Sequence, residues 1–216
     1  RAQTRAATDE AQVMEALRHA KQEAALLIAL ADIGGLWDVI AVTKALSDFA
    51  DCMVSCALSF QLREAADAGK ITLANPDDPE EGCGVVVLAL GKHGARELNY
   101  SSDIDLVVFF DPDSPALNAD VEPGPLFVRM TKALSRMLQE RTGDGYVLRV
   151  DLRLRPDPGS TAVAISLPAA FSYYENLGQN WERAALIKAR PVAGDKPLGT
   201  RFLADLAPFI WRKYFD

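Results

Sequence analysis

The sequence has 216 residues, of which 49% are hydrophobic and 25% charged, and its formal net charge is −7. That is enough apolar material for one large domain, or for a compact domain with a helical extension. The negative balance argues against DNA or RNA as the main partner, because phosphate backbones select basic surfaces; a small anionic ligand held by a few local Arg and Lys is still allowed.

No run of about 18 apolar residues is free of charge, so no membrane span is expected. The cysteines are Cys52, Cys56 and Cys83, an odd number with no C-x-x-C spacing. With His19 and His93 offering no matching ligand spacing, a zinc site is disfavoured and buried thiols in a reducing cytoplasm are expected. The chain starts on Arg1 without a signal-peptide layout and ends on Asp216 just after WRKYF. It reads as an internal piece of a longer cytoplasmic protein.

In chain order, a helix is expected from Asp9 to about Ala31, with Thr8 or Asp9 as its cap and Gly34-Gly35 as its stop. Val13, Leu17, Ala20, Ala24, Leu27 and Ile28 mark its inner face. A second helix follows from about Leu36 to Ala68, with Ile40, Leu46, Phe49, Met53, Ala57 and Phe60 inward and Gly69 as its stop. The two read as an antiparallel scaffold pair with no chemistry of its own. The polar, turn-rich stretch 73–84 then separates a helical region, 1–72, from a second part, 85–216, that is incomplete at its C-terminus.

Val85–Leu90 and Ile104–Phe110 are continuous apolar runs, as expected of strands covered on both faces. Further elements are a helix from Pro125 to Thr142, a strand from Tyr146 to Leu154, a helix from Pro168 to Asn176 with Leu167 and Phe171 inward, a short extended piece from Leu186 to Arg190, and a helix from Pro197 to Leu206.

The chemistry gathers around the two apolar runs. Asp103 and Asp105 alternate at the mouth of the second, so they share a face with Cα atoms about 6–7 Å apart. Adjacent carboxylates repel unless something neutralises them, and a hard divalent cation does so with oxygen ligands. Gly91-Lys92-His93-Gly94 follows the first run as a tight turn whose backbone amides can approach a phosphate, with Lys92 adding a charge. Ser101 and Ser102 place hydroxyls beside the acids. The later stretch RVDLRLRP adds Asp151, Arg153 and Arg155, which share a face if it is extended. Three carboxylates with a glycine turn and cations suit an in-line phosphoryl-type displacement, with Asp151 as a metal ligand or as the base. Salt bridging to surface acids is the bland alternative for the two arginines.

This arrangement, a strand, a glycine, D-x-D twelve residues on and a third Asp on a later strand, resembles the polymerase-beta-like nucleotidyltransferase superfamily. The segments LALGKHGARELNYSSDIDLVVFF, YVLRVDLRLRPDPG and YYENLGQNWERAALIKARPVAGD are similar to the glutamate–ammonia-ligase (glutamine synthetase) adenylyltransferase family. The family's enzyme fuses two related domains, one attaching AMP from ATP to a tyrosine of glutamine synthetase and one removing it by phosphorolysis to ADP. ELNYSSDIDL, WERAALIKAR and the ending PFIWRKYFD resemble the N-terminal, adenylyl-removing half.

The resemblance implies an α+β fold, a mixed β-sheet of nucleotidyltransferase type flanked by helices, preceded by an all-helical region. It implies Mg²⁺, with Mn²⁺ as the alternative, held by Asp103, Asp105 and Asp151, and a nucleotide-binding stretch that includes Gly91, Ser101 and Ser102. Lys92, Arg153, Arg155, Lys188 and Arg190 are the cations expected near phosphate. Glutamine synthetase is the implied protein substrate, ATP, ADP and phosphate the small ligands, and a PII signalling protein a partner of the full-length enzyme, with no nucleic acid and no membrane. AMP transfer from ATP and a non-catalytic nucleotide-binding module are the alternatives. The family usually reads GKLGG where this chain has GKHGA; His93 is expected to be a tolerated exposed substitution, and Trp181 and Glu182 to pack and pair behind the site.

Overall fold

The structure is a computed structural model that describes residue 7 and residues 9–211. Helix α1 spans Glu10–Ile33, and Asp9 caps it by accepting from the Gln12 amide at 2.9 Å. The alternative cap Thr8 and the terminal segment 212–216 lie outside the described residues. Helix α2 spans Val39–Asp67 and starts on Asp38, whose carboxylate accepts from Ala41 N at 2.8 Å. Gly69, at φ +66, ends it in the left-handed conformation expected of a glycine stop.

The two helices run back along each other. Ile28 lines the same cleft as Leu46 and Phe49, whereas Arg18 and Gln61 both reach Met137. Their inner residues Val13, Leu17, Met53, Ala57 and Phe60 are buried as expected. Leu27 and Ile40 are not: they are 66% and 70% exposed, beside Leu26, Leu30, Ile33, Leu36 and Val39 at the hairpin tip. Apolar periodicity marks a stripe on a helix, but not how far the covering layer extends along it.

The sheet is mixed. Strand β1 (Val85–Leu90) pairs antiparallel with β2 (Ile104–Phe110) and with β5 (Arg190–Gly194). The other edge of β2 carries two short parallel strands in succession, β3 (Val150–Asp151) and β4 (Ala164–Ser166). Both central strands are covered on both faces, which is why they read as unbroken apolar runs. Val85, Val87, Ala89, Ile104, Leu106 and Val108 pack with α1, α2 and helix α4 (Pro123–Gln139). Val86, Leu88, Leu90, Val107 and Phe109 pack with α5 (Leu167–Asn176), α7 (Lys196–Asp205) and α8 (Ala207–Ile210).

Several boundaries differ from expectation. Gly91–Ala95 forms a single helical turn, α3, and Asn180–Leu186 forms α6 where no helix was expected. The extended piece begins at Arg190, not Leu186: α6 runs through Leu186 and residues 187–189 turn before the strand starts. The expected strand 146–154 shrinks to Val150–Asp151, and residues after it turn away through a proline- and glycine-rich loop. No described helix is long and apolar enough to cross a membrane. Cys56 and Cys83 are buried and Cys52 is half-buried.

Arg18 is the largest fully buried side chain of the described residues. Its guanidinium donates to the carbonyls of Met14, Gly145 and Met137 at 2.9, 2.9 and 3.2 Å, and to that of Glu140. It thereby satisfies the end of α4, where carbonyls lack helical partners and the dipole favours a cation. Arg18→Ala strands several carbonyls and is expected to cost about 3 kcal/mol, read as a fall in the urea midpoint.

Candidate active site

Asp105 sits between two neighbours. Its register partner on β1 is Leu90, and the next residue along is Gly91. Its partner on β3 is Asp151. Neighbouring strands lie about 4.8 Å apart, so the carboxylates of Asp105 and Asp151 leave the sheet side by side. Asp103 shares their parity, as do Val107 and Phe109, which places all three acids on the face covered further along by α5, α7 and α8.

The three acids are not equivalent. Burial, followed by the charges of Asp151 and Asp103, holds the Asp105 carboxyl above the usual carboxylate range; His93 and Arg153 oppose this without cancelling it. Asp151 is held below that range by the hydrogen bonds of Arg153, which outweigh burial: Nε donates to both oxygens at 2.9 and 3.0 Å, Nη2 donates at 2.5 Å, and the Arg153 amide donates at 2.8 Å. Asp103 is paired with Arg149, whose Nη2 also donates to the Ser101 carbonyl at 2.5 Å. Among the described residues two arginines thus face three acids, and Asp105 is the one without a cationic partner.

Gly91 is held at φ +54, and a Cβ there would lie 2.4 Å from Oδ2 of Asp105. The backbone presses against the carboxylate as only glycine allows. Among the described residues no three His, Cys, Asp or Glu side chains already form a cage for a metal ion, and arginines pair with two of the acids. The donor set still suits a hard divalent cation: three carboxylates, one of them unneutralised, beside a backbone with no side chain in the way.

The other expected site residues are placed unevenly. Lys92 is exposed on α3. The Ser102 hydroxyl donates to Asn99 Oδ1 at 2.8 Å, and the Ser101 amide donates to the same oxygen at 3.2 Å, so Asn99 shapes the loop before the acids. Ser101, Ser102 and Arg149 line a cleft together with Ile28 and Phe49 of the helical region. Arg155 does not join the carboxylates. It donates to the carbonyls of Leu152 and Pro158 at 2.8 and 2.7 Å and buckles the loop that replaces the expected strand. Lys188 is exposed, 3.7 Å from Glu97.

His93 is fully buried, contrary to expectation: its Nε2 lies 2.7 Å from Asp51 Oδ1. A carboxylate only accepts, so Nε2 carries the proton. Arg190 forks onto the same carboxylate at 2.6 and 2.9 Å. Trp181 is 48% exposed and does not pack as expected, whereas buried Glu182 accepts from Gln179 N at 2.7 Å and from the Tyr173 hydroxyl at 3.3 Å, capping α6. Asp51, Asn99 and Arg149 went unrecognised in the sequence. Only Arg149 left a signal there, being the first of the alternating arginines in RVDLRLR.

Burial alone would raise the Asp51 carboxyl, but the hydrogen bonds and charges of His93 and Arg190 win and lower it. A depressed carboxylate contributes stability that is complete above its unfolded value, near 3.8, and is lost as pH falls through its folded value. The urea midpoint is therefore expected to drop below about pH 4, and Asp51→Asn to lower the unfolding free energy by about 1–3 kcal/mol at pH 7 while flattening that acid limb.

The sequence profile of the glutamate-ammonia ligase adenylyltransferase family matches residues 1–205. The chain is 62% identical over 211 residues to the bifunctional glutamine synthetase adenylyltransferase/adenylyl-removing enzyme of Bradyrhizobium diazoefficiens, covering 98% of this chain and 21% of that protein. Proteins of the same description from Xanthobacter autotrophicus and Rhodopseudomonas palustris are each 61% identical, over 215 and 211 residues, covering 100% and 98% of this chain and 22% and 21% of theirs. The chain thus spans about a fifth of the length of these curated relatives.

Proposed function

Since the chain belongs to the glutamate-ammonia ligase adenylyltransferase family, we propose that its carboxylate site removes AMP from an adenylyl-tyrosine of glutamine synthetase by phosphorolysis. A phosphate oxygen attacks the AMP phosphorus, the bond from phosphorus to the tyrosine oxygen breaks, ADP forms, and the tyrosine oxygen takes up a proton. The observation that carries this reading is Asp105 unneutralised between Gly91 and Asp151, with Asp103 beside it.

Asp103, Asp105 and Asp151 would hold Mg²⁺, or Mn²⁺ in its place. When bound, such a cation neutralises charge on the attacking and leaving oxygens. Gly91 lets the turn backbone approach the phosphoryl group. Lys92, Ser101 and Ser102 border the nucleotide and phosphate, and Arg153 steadies Asp151 in its ionised form. A carboxyl held that low is a weak base, which supports a ligand role for Asp151 over a proton acceptor. Arg155 acts at a distance from the acids, by shaping the loop after Asp151, and Lys188 is a further cation for the phosphate. Residues 85–216 form the catalytic part of this reading, with the helical region 1–72 joined to it through 73–84. Glutamine synthetase, phosphate and ADP are the partners, and PII a regulator of the longer polypeptide.

The direction rests on the ELNYSSDIDL and WERAALIKAR wording of the chain. The relatives' names cover both adding and removing AMP, so transfer from ATP is the second reading. Incubation with AMP-labelled glutamine synthetase, Mg²⁺ and phosphate is expected to release ADP. Labelling of unmodified synthetase from ATP without such release would replace the removal reading with transfer. Nucleotide binding with neither reaction would leave a regulatory module.

A further inference from the structure

The turn that carries Gly91 cannot fix its own shape. Helix α3 is five residues long, and a single helical turn is unstable by itself. It begins on Gly91 at φ +54 and is followed by Arg96 at φ +62, a conformation that a non-glycine residue keeps only when its surroundings impose it. Gly94 is clamped as well: a Cβ there would lie 2.2 Å from the Lys188 carbonyl oxygen.

The restraint comes from α2. Ser47 Oγ accepts from Leu98 N at 3.3 Å, Asp48 accepts from Arg96 at 3.1 Å, and Asp51 meets His93 at 2.7 Å. These three positions lie on one side of a helix and follow the segment 93–98 in reverse order. Asp51 does the most. Besides His93 it holds both terminal nitrogens of Arg190, and that guanidinium donates onward to the carbonyls of Gly94 and His93 at 3.1 Å each. One carboxylate on the helical region thereby fixes the backbone of the turn from both sides.

We infer that Asp51, acting through His93 and Arg190, is a positioning residue for the reaction: it sets where the Gly91 turn meets Asp105, and the helical region is part of the catalytic unit. This rests on reading Gly91 and Asp105 as part of the reacting centre. Asp51 touches no reacting atom. Its effect falls on geometry, where a displacement of about 1 Å costs roughly 10²-fold in rate.

The test uses the whole chain and two readouts. In Asp51→Asn, amide exchange at Arg96 and Glu97, which donate to the His93 and Lys92 carbonyls, is expected to speed up at least about tenfold while amides inside α1 keep their protection. The kcat for ADP release is expected to fall about 10–100-fold, with KM for adenylylated synthetase within about twofold. Arg190→Lys should behave alike despite its charge, since an ammonium cannot hold two carboxylate oxygens and two carbonyls together. Should Asp51→Asn not fold, Asp48→Asn, which breaks only exposed pairs, with Arg96 and with Lys44 one turn earlier on α2, is expected to loosen Arg96 and Glu97 several-fold. Unchanged exchange in the folded variants, or a loosened turn with kcat intact, would overturn the inference. A wild-type chain that releases no ADP would instead defeat the functional reading, and exchange would still decide whether α2 holds the turn.

Discussion

Replacing Asp105 by Asn is expected to lower ADP release by roughly 10³-fold while leaving the protein as stable as before, or more so. The two halves of this expectation have one cause. Asp105 lies beside Asp151 and Asp103 without an arginine of its own, and its carboxyl is held above the usual range by burial and by those two charges. A carboxylate raised in this way costs stability at pH above its folded value, and the cost disappears below its unfolded value. Asn keeps the shape and removes the charge, so the thermal midpoint at pH 7 should stay level or rise. A residue kept only for structure would behave in the opposite manner. Loss of both activity and stability would mean that Asp105 supports the fold.

Gly91→Ala is the second large effect. The added methyl would stand 2.4 Å from Asp105 Oδ2, and φ +54 disfavours any residue with a Cβ. Either the carboxylate or the turn must shift. A shift of about 1 Å at a reacting centre costs roughly 10²-fold, and the left-handed backbone adds about 1–2 kcal/mol of instability. Kinetics and a urea titration on the same preparation should therefore show both losses. Alanine at Gly143, where nothing lies within 4 Å of an added Cβ, is the control expected to show neither.

The central strands were legible because each is covered on both faces, so their apolar runs are unbroken; the long helices were legible from period and caps. Asp103 and Asp105 were legible because carboxylates at the mouth of a buried strand call for something to neutralise them. The strand expected over 146–154 was over-read: alternating arginines look like a strand face, yet Arg155 is spent on the carbonyls of its own loop. His93 was misjudged for a different reason. Its partner Asp51 lies 42 residues earlier, on a helix that looked like inert scaffold. The Leu27 and Ile40 stripe shows the same limit: a sequence pattern says which face is apolar, not what covers it.

The site and the reaction meet in one measurement. Glutamine synthetase carrying unlabelled AMP-tyrosine is incubated with this chain, Mg²⁺ and ³²P-labelled inorganic phosphate, with the Asp105→Asn protein in parallel. The account predicts label in the β-phosphate of ADP with the wild-type chain and roughly 10³-fold slower labelling with the variant. Free AMP without labelled ADP, or equal labelling by both proteins, would contradict it.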